Sequence, residues 1–523
     1  MRKFLYQWKS VIIFLPTISL FGFLLRVTRI VLYQQPIFAD EAIYVRWAQV
    51  MRAEPTLRFL PLSDGKQPLF MWSMIPLLKL FSDPLIAGRM LSVICSLATG
   101  IGIFLLTYLL FKNKKVSLIA TLLYALSPFA VFFDSMALVD SMLASFAVWT
   151  LYLGLLTAQK LRLDYAMLTG FALGGASLTK SPWIFFAGFL PLSAIFLGWP
   201  RRPGDKFKTL VTYALLLLVT FTLSLTIYNI LRLGPNFHLI SSRNADYVFP
   251  LSHFWTNPKD PFIFHFDRAL EWIWGIGPWS VFLLFIGGVI INFKKYRKQV
   301  FILSVWSVLP ILVQSEFAKV FTARYIYFSL PFIFILAASA FLSEKFKKLL
   351  NVILIIFIIH SLSINYVLST NIERAPLPPG ERSGYLEEWT AGTGIREAAE
   401  YLKEYARNNQ DENIIVGTEG YFGTLPDGLQ LYLNKNPEIT VIGVGINLKE
   451  IPDSLLESQK SGNTTFMVIN NSRFSFDPLE KGLETVAVYP KAFRRTDAHE
   501  YTLYGPQETL YLFRLREKDD KSI

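Results

Sequence analysis

Cysteine and charge are both scarce in this chain of 523 residues. The single cysteine, Cys95, lies inside an apolar run, so no disulfide bond can form within the chain. Charged residues make up 17% of the sequence, whereas ordinary soluble proteins have about 25%. Hydrophobic residues reach 53%, and the mean hydropathy is +0.39. This composition excludes an ordinary soluble protein and predicts a membrane protein.

Several signatures of other protein classes are also missing. The sequence shows no fixed-period repeat, and residues 369–523 contain no GxGxxG, Walker or nucleophile-elbow motif. The net charge is +12, but the basic residues form short clusters between apolar runs, which argues against nucleic acid as a partner. The basic N-terminus is followed by an apolar run without a small-residue cleavage site, so we expect a retained first membrane span.

The apolar residues are gathered in long runs over residues 1–368, which predicts a polytopic α-helical membrane protein. We expect about eleven transmembrane helices. They cover residues 11–33, 84–111, 116–132, 138–157, 165–180, 182–198, 208–232, 275–293, 299–315, 323–342 and 349–368.

Clusters of lysine and arginine alternate along the chain with loops that are poor in them. The clusters lie at residues 2–9, 112–115, 160–162, 201–208, 294–298 and 345–348. Because cytoplasmic loops of membrane proteins carry the excess of basic residues, these clusters should be cytoplasmic. We therefore expect a multi-pass protein of the plasma membrane with a cytoplasmic N-terminus. The intervening loops and the C-terminal residues should be extracytoplasmic.

Two domains are predicted on these grounds. Residues 1–368 should form a transmembrane catalytic domain, with a first external loop at 34–83 that contains amphipathic helices and a long external loop at 233–274. Residues 369–523 alternate helix and strand patterns and should form a small extracytoplasmic α/β domain.

Four carboxylates lie at predicted external edges of the membrane. Asp40 and Glu41 follow the first span directly, and Asp134 and Asp140 surround the start of the fourth. Each has a structural alternative, because acidic residues also favour the first turn of a helix and Asp is a good N-cap. A carboxylate at the start of a span is nevertheless costly unless it faces a cavity or a partner.

Four cations lie on the same predicted external side, namely Lys66, Arg89, Lys180 and Arg324. Interfacial lysine and arginine often only extend their charged ends to water. Isolated cations outside the cytoplasmic clusters nevertheless call for a counter-charge, and a lipid phosphate would supply one. Carboxylates and phosphate-binding cations around one opening indicate glycosyl transfer from a lipid phosphate. Asp40 would remove the proton from an acceptor hydroxyl, and the cations would stabilise the departing phosphate.

The residues of these motifs resemble the GT-C superfamily of membrane glycosyltransferases, and in particular the protein O-mannosyltransferases and lipid A aminoarabinose transferases. The resemblance covers about residues 10–340. It is carried, in order, by Asp40-Glu41, Lys66-Gln67-Pro68-Leu69, Met136-Ala137-Leu138-Val139-Asp140, Leu178-Thr179-Lys180 and Ala323-Arg324-Tyr325. Ser135 and Gln67 depart from the pattern, since relatives often have Arg and Pro at these places.

The resemblance implies a GT-C fold with periplasmic juxtamembrane helices and an inverting transfer from a polyprenyl-phosphate sugar donor. It implies Asp40 as catalytic base, a supporting role for Asp140, and donor phosphate bound by Lys66 and Arg324. We add Glu41 to the catalytic candidates and Lys180 and Arg89 to the phosphate-binding ones. The transferred sugar would be a hexose or a pentose, and the hydroxyl acceptor a protein, a lipid or a glycan.

Two other classes of function stay open at this point. A transporter or lipid flippase would place charges near the middle of the membrane and often shows repeated halves. A lipid-linked glycan polymerase or ligase would share the donor chemistry. No metal ligand set or certain cofactor is predicted, although the clustered carboxylates leave room for a divalent metal.

Overall fold

The computed structural model describes residues 2–200 and 202–516. Residues 1, 201 and 517–523 lie outside the described residues, and with them Arg201 of a predicted cytoplasmic cluster and the end of the predicted C-terminal domain. The chain divides into two compact units. We call the first the membrane unit, formed by Met1–Tyr33, Glu54–Ser73 and Arg89–Pro378. The second, called the sheet unit, is formed by Gln34–Ala53, Met74–Gly88 and Pro379–Ile523.

Seven helices in the described residues are long and apolar enough to cross a membrane. They are Gln7–Val31, Pro84–Phe111, Val139–Lys160, Asp205–Leu233, Arg297–Phe317, Ala323–Leu342 and Lys347–Thr370. Since a helix rises about 1.5 Å per residue, 20 residues span the roughly 30 Å of bilayer hydrocarbon. Each of these helices coincides with a span predicted from hydropathy.

The prediction of eleven spans is too high, because length and composition allow seven to nine in the described residues. The two additional spans are helix pairs that bend sharply. One joins Lys114–Leu126 to Pro128–Asp134 at 59°, and the other joins Phe262–Gly275 to Trp279–Asn292 at 106°. The predicted spans at 165–180 and 182–198 are short helices instead. Leu163–Ser177 has 15 residues, so it would reach only about 22 Å.

The remaining helices outside the sheet unit are short and belong mostly to the two predicted external loops. They are Pro55–Leu57, Leu60–Asp64, Leu69–Met74, Trp183–Phe189, Leu190–Phe196, Asn229–Leu233, Leu239–Tyr247, His253–Thr256 and Ile372–Arg374. The predicted loop at 233–274 is therefore largely helical.

The sheet unit is built on a five-stranded mixed sheet. In spatial order its strands are Ile439–Gly445, Ile414–Glu419, Thr464–Asn470, Gln507–Leu515 and Leu483–Phe493. The first three are parallel and the last two pair antiparallel. These strands lie where the alternating pattern of residues 369–523 predicted them, and they make this the mixed β-sheet part of the chain.

Helices accompany the sheet within the same unit. They are Ala39–Ala53, Leu77–Lys79, Pro379–Arg382, Ser383–Glu387, Ile395–Asn408, Asp427–Leu433, Asp453–Lys460, Asn471–Arg473 and His499–Tyr504. Ile395–Asn408 buries Ile395, Ala398, Ala399, Leu402 and Ala406, the spacing of one helical face. Burial of that face fixes the helix to the unit.

Helix Ala39–Ala53 lies in the loop for which the sequence predicts amphipathic helices. Its apolar side chains, such as Ile43 and Trp47, are buried in the protein. The helix packs against Asp427–Leu433, and Gln49 donates from Nε2 to the Leu431 carbonyl at 3.0 Å. The apolar face of this amphipathic helix is therefore covered by protein.

Candidate functional site

Asp40 and Glu41 lie in the first turn of helix Ala39–Ala53, in the sheet unit. Asp40 is half-buried and Glu41 is fully buried. The Phe38 amide donates to Glu41 Oε2 at 3.0 Å, so Glu41 closes the turn that leads into the helix. Asp40 is the more solvent-accessible carboxylate of the pair.

A short β-ribbon holds the chain just before Asp40. Strand Ile37–Phe38 pairs antiparallel with Ala391–Gly392, and the Ala39 amide donates to the Thr390 carbonyl at 3.1 Å. The segment that carries Asp40 is thereby fixed to the chain that precedes helix Ile395–Asn408.

A buried lysine donates hydrogen bonds to the backbone of this ribbon. Lys491 is 4% exposed and donates from Nζ to the carbonyl oxygens of Ala391 at 2.6 Å and Glu388 at 3.1 Å. Arg494 binds the Glu388 carboxylate through two hydrogen bonds of 2.7 and 3.0 Å and also pairs with Glu508. This network orders the backbone to which the Asp40 segment is attached.

Stability of the sheet unit should depend on the titration of Lys491. Burial lowers the pKa of Lys491 from 10.5 to about 8. The nearby carboxylates of Glu419, Glu508 and Glu388 raise this pKa, and the positive charge of Arg494 lowers it further. Between pH 8 and 10.5 the unfolded chain therefore binds the proton that the folded chain has lost, so stability rises with pH in this window. We expect the parent to gain up to roughly 3 kcal/mol relative to Lys491→Met across the window.

Denaturant unfolding of the detergent-purified full chain at several pH values between 7.5 and 10.5 measures this difference. The exposed Lys449 provides a control, since Lys449→Met retains Lys491 and should keep the rise in stability that the parent shows. A parent-to-Lys491→Met difference that stays constant over the window would contradict the prediction.

In the membrane unit, Asp140 and Lys180 form the centre of the candidate site. Lys180 Nζ lies 2.7 Å from Asp140 Oδ1, although 40 positions separate them in the sequence. Asp140 is 2% exposed, and its second oxygen, Oδ2, is buried without a hydrogen-bond partner among the described residues. Buried carboxylate oxygens are nearly always hydrogen-bonded, so this oxygen is an acceptor available to a ligand hydroxyl.

The ring of Tyr325 contacts both Lys180 and Arg324. Lys180 Nζ lies 4.5 Å from the centre of the Tyr325 ring, and the Arg324 guanidinium carbon lies 5.6 Å from it. Arg324 is half-buried at the start of the short helix Ala323–Ser329. The structure therefore brings Lys180 and Arg324 to one aromatic ring, as attraction between cations and a ring favours, and Asp140 contacts Lys180.

Lys66 is positioned by a tight turn. It lies 3.1 Å from Asp64, which also faces Arg243 at 3.6 Å. Gly65 between them has φ +63, and a Cβ on it would come within 2.5 Å of the Arg243 Cβ. Only glycine fits this left-handed, crowded position, so Gly65 determines the direction in which Lys66 leaves the turn.

The Lys66 segment is bound to the turn that carries Lys180. Gln67 Nε2 donates to Ser181 Oγ at 3.0 Å, and the Leu69 amide donates to the Leu178 carbonyl at 3.0 Å. Arg89 is buried in helix Pro84–Phe111, one turn before Ser92, whose hydroxyl reaches the Leu138 carbonyl at 3.4 Å. All five predicted residues outside the Asp40-Glu41 pair thus belong to the membrane unit.

Sequence reasoning missed a buried ionic cluster in the membrane unit. Arg26, inside the first span, binds Asp134 Oδ2 at 2.8 Å. The hydroxyls of Tyr124 and Tyr327 donate to the same carboxylate at 2.9 and 2.6 Å. Asp134 was expected at an external edge, but it is completely buried in this cluster. An arginine within a predicted span was the available signal, since ionisable residues there are rare and paired.

The described residues contain no group of three or more His, Cys, Asp or Glu side chains arranged to hold a metal ion.

Comparisons with known proteins show what this chain is similar to in sequence and in fold. Residues 65–228 match the family model described as dolichyl-phosphate-mannose-protein mannosyltransferase. The fold is similar to that of ArnT from Cupriavidus metallidurans in the apo state, with a TM-score of 0.56, 15% identity, and coverage of 96% of this chain and 97% of that chain. ArnT bound to undecaprenyl phosphate gives a TM-score of 0.55, 16% identity, and coverage of 96% and 98%. Curated protein sequences give no significant match.

The fold is similar to that of ArnT, and the match over residues 65–228 confirms the resemblance to membrane glycosyltransferases drawn from the motifs. The likeness to ArnT extends over nearly the whole chain, whereas the similarity to the mannosyltransferase family is limited to the matched segment. That segment contains Lys66, Arg89, Asp140 and Lys180, whereas Asp40 and Arg324 lie outside it.

Proposed function

We propose that this protein is an inverting glycosyltransferase that moves a hexose or pentose from a polyprenyl-phosphate donor to a hydroxyl acceptor on the extracytoplasmic side. The observation that carries the proposal is the buried Asp140 carboxylate, with Oδ1 on Lys180 and Oδ2 without a partner among the described residues. A carboxylate held by a cation and still able to accept one hydrogen bond is suited to orient a hydroxyl of the sugar or acceptor.

The donor phosphate would be bound by the cations of the membrane unit. Lys180 and Arg324 share the ring of Tyr325, and the Lys66 segment is bonded to the Lys180 turn. Cations beside the leaving oxygen stabilise the charge that develops as the sugar departs. The matched family is described by a dolichyl-phosphate sugar donor, and ArnT has been solved with undecaprenyl phosphate. Both support a polyprenyl-phosphate donor here.

Asp40 would act as the general base. It takes the proton of the acceptor hydroxyl while the hydroxyl oxygen forms a bond to the anomeric carbon. The bond from that carbon to the phosphate oxygen breaks in the same step, and its electrons leave with the polyprenyl phosphate. One displacement inverts the anomeric centre, and no covalent enzyme intermediate forms. Glu41 would maintain the turn that presents Asp40.

A donor panel tests the proposal directly. Purified protein is incubated with several polyprenyl-phosphate sugars and an acceptor mixture, and the lipids are measured by mass spectrometry. We expect one donor to be consumed with release of polyprenyl phosphate. The Asp140→Asn variant, which keeps the shape of the side chain, should consume it at least tenfold more slowly, since one charge-assisted contact is worth about 1.5–3 kcal/mol. Consumption of a nucleotide sugar but of no lipid-linked sugar would contradict the proposal.

A further inference from the structure

We propose that a basic cleft in the sheet unit binds the phosphate of an anionic amphiphile at the membrane surface. The cleft has a volume of about 1100 Å³, which is ample for a lipid head group. Its walls come from the end of helix Ala39–Ala53, from residues 78–84, from helix Ile395–Asn408, and from the end of helix Asp427–Leu433 with residues 434–436. Neither Asp40 nor any predicted phosphate-binding residue lines it.

The charge of this cleft is strongly one-sided. Its lining carries five cations and two carboxylates, a net charge of +3. Arg396 pairs with Asp83, so that pair is neutral within the wall. Lys79, Lys403 and Lys435 make no side-chain hydrogen bond or ion pair with any described residue. Arg52 donates one hydrogen bond to the Leu78 carbonyl at 2.8 Å. Its guanidinium keeps further N–H groups for a ligand, since a guanidinium carries five.

The cleft keeps these cations near one another because the surrounding backbone is fixed. Arg52 ties the end of its helix to Leu78, and Gln49 ties the same helix to Leu431. The Arg396–Asp83 pair, with Arg396 also on Gln34 at 3.0 Å, links residue 83 to helix Ile395–Asn408. Like charges held together repel, which is unfavourable unless an anion binds among them.

One wall of the cleft directly precedes a candidate membrane span in the sequence. Lys79 and Leu80 come just before the membrane-crossing helix Pro84–Phe111, and Leu80 is 75% exposed. A lysine followed by an exposed leucine at the start of a span is typical of the interface, where acyl chains and head groups meet. This argues that the bound phosphate belongs to a lipid whose chains lie beside Leu80. A free phosphate would use the same cations.

Phosphatidylglycerol binding to the detergent-purified protein, measured by native mass spectrometry without sugar donor, tests the proposal. We expect Lys79→Gln, Lys403→Gln and Lys435→Gln together to weaken binding roughly tenfold or more, because each interfacial cation contributes about 1 kcal/mol to anionic lipid binding. The matched control replaces the exposed Lys449, Lys460 and Lys481 of the same unit, which lie outside the cleft. The control should bind phosphatidylglycerol as the parent does.

Two further arms identify the source of the phosphate. Glycerol phosphate that displaces phosphatidylglycerol at similar concentration shows that the anion alone is recognised, and failure to displace it shows that the acyl chains are needed. Phosphatidylcholine should bind weakly to parent and variants alike, and parent binding to phosphatidylglycerol should fall with added salt. Equal phosphatidylglycerol binding by the parent and the cleft variant, or an equal loss in the control, would overturn the proposal. None of these arms depends on sugar transfer.

Discussion

Asp40→Asn should reduce sugar transfer by roughly 10²–10⁴-fold, the usual contribution of a general base. The amide keeps the size of the carboxylate but cannot take the proton of the acceptor hydroxyl. Because Asp40 would act on the acceptor during the reaction, the loss should appear in kcat and leave donor binding nearly unchanged. Initial rates with the donor identified by the panel, at saturating acceptor, measure the effect.

The control for Asp40→Asn must separate catalysis from helix capping, since Asp40 lies in a first helical turn. Asp453 holds a comparable first-turn place in helix Asp453–Lys460 of the same unit, where it is exposed. Asp453→Asn removes a first-turn charge without touching the proposed chemistry and should leave transfer unchanged. Near-normal turnover of purified Asp40→Asn would exclude Asp40 as the base, whatever the control does.

Asp134→Ala should destabilise the folded protein by about 3–5 kcal/mol, a large effect for a single substitution. It leaves Arg26 buried without its counter-charge and removes the shared acceptor of Tyr124 and Tyr327. Removing one partner of a buried pair costs more than the pair itself contributes, because the remaining charge is uncompensated. Thermal unfolding of the purified chain in detergent measures the loss.

Two variants test this explanation. Arg26→Met with Asp134→Leu removes both charges together and should recover most of the lost stability, since apolar replacement of a buried pair is often neutral. Asp164→Ala breaks the exposed pair with Arg162 and should change stability little, because water already solvates both groups. A double variant as unstable as Asp134→Ala would show that size or packing, and not the unpaired charge, causes the loss.

Hydropathy located the long spans correctly but counted too many of them. Each long helix has a local signature, which is a run of apolar residues sufficient to cross the bilayer. The runs at 165–180 and 182–198 have the same local signature but fold as short helices. Leu163–Ser177 packs between Val139–Lys160 and Pro203–Tyr228. Its small residues and Leu173 are buried, while the larger Leu163, Leu168 and Phe171 stay exposed. A run of apolar residues does not reveal whether protein or lipid will surround it, so hydropathy cannot tell a short packed helix from a membrane span.

For the predicted external cations, the sequence shows the cations themselves but not the groups that they contact. Lys66 and Lys180 were found from their motifs, but their partners Asp64 and Asp140 depend on the fold. Asp64 was overlooked because a carboxylate beside a turn has no distinctive pattern. Arg243, which faces Asp64 from the predicted long loop, could not be assigned without knowing where that loop packs.

The sequence by itself determined that this is a multi-pass membrane protein with a C-terminal mixed α/β part, and it drew attention to the motif residues Asp40, Lys66, Asp140, Lys180 and Arg324. Those features are local, because hydropathy, helical spacing and short motifs act over a few turns of chain. Only the tertiary structure decided that Arg26 and Asp134, 108 positions apart, neutralise each other in the interior. It likewise paired Lys180 with Asp140 and left one oxygen of Asp140 without a partner among the described residues. Such pairings depend on which helices pack together, and that depends on the shapes of all the buried faces at once.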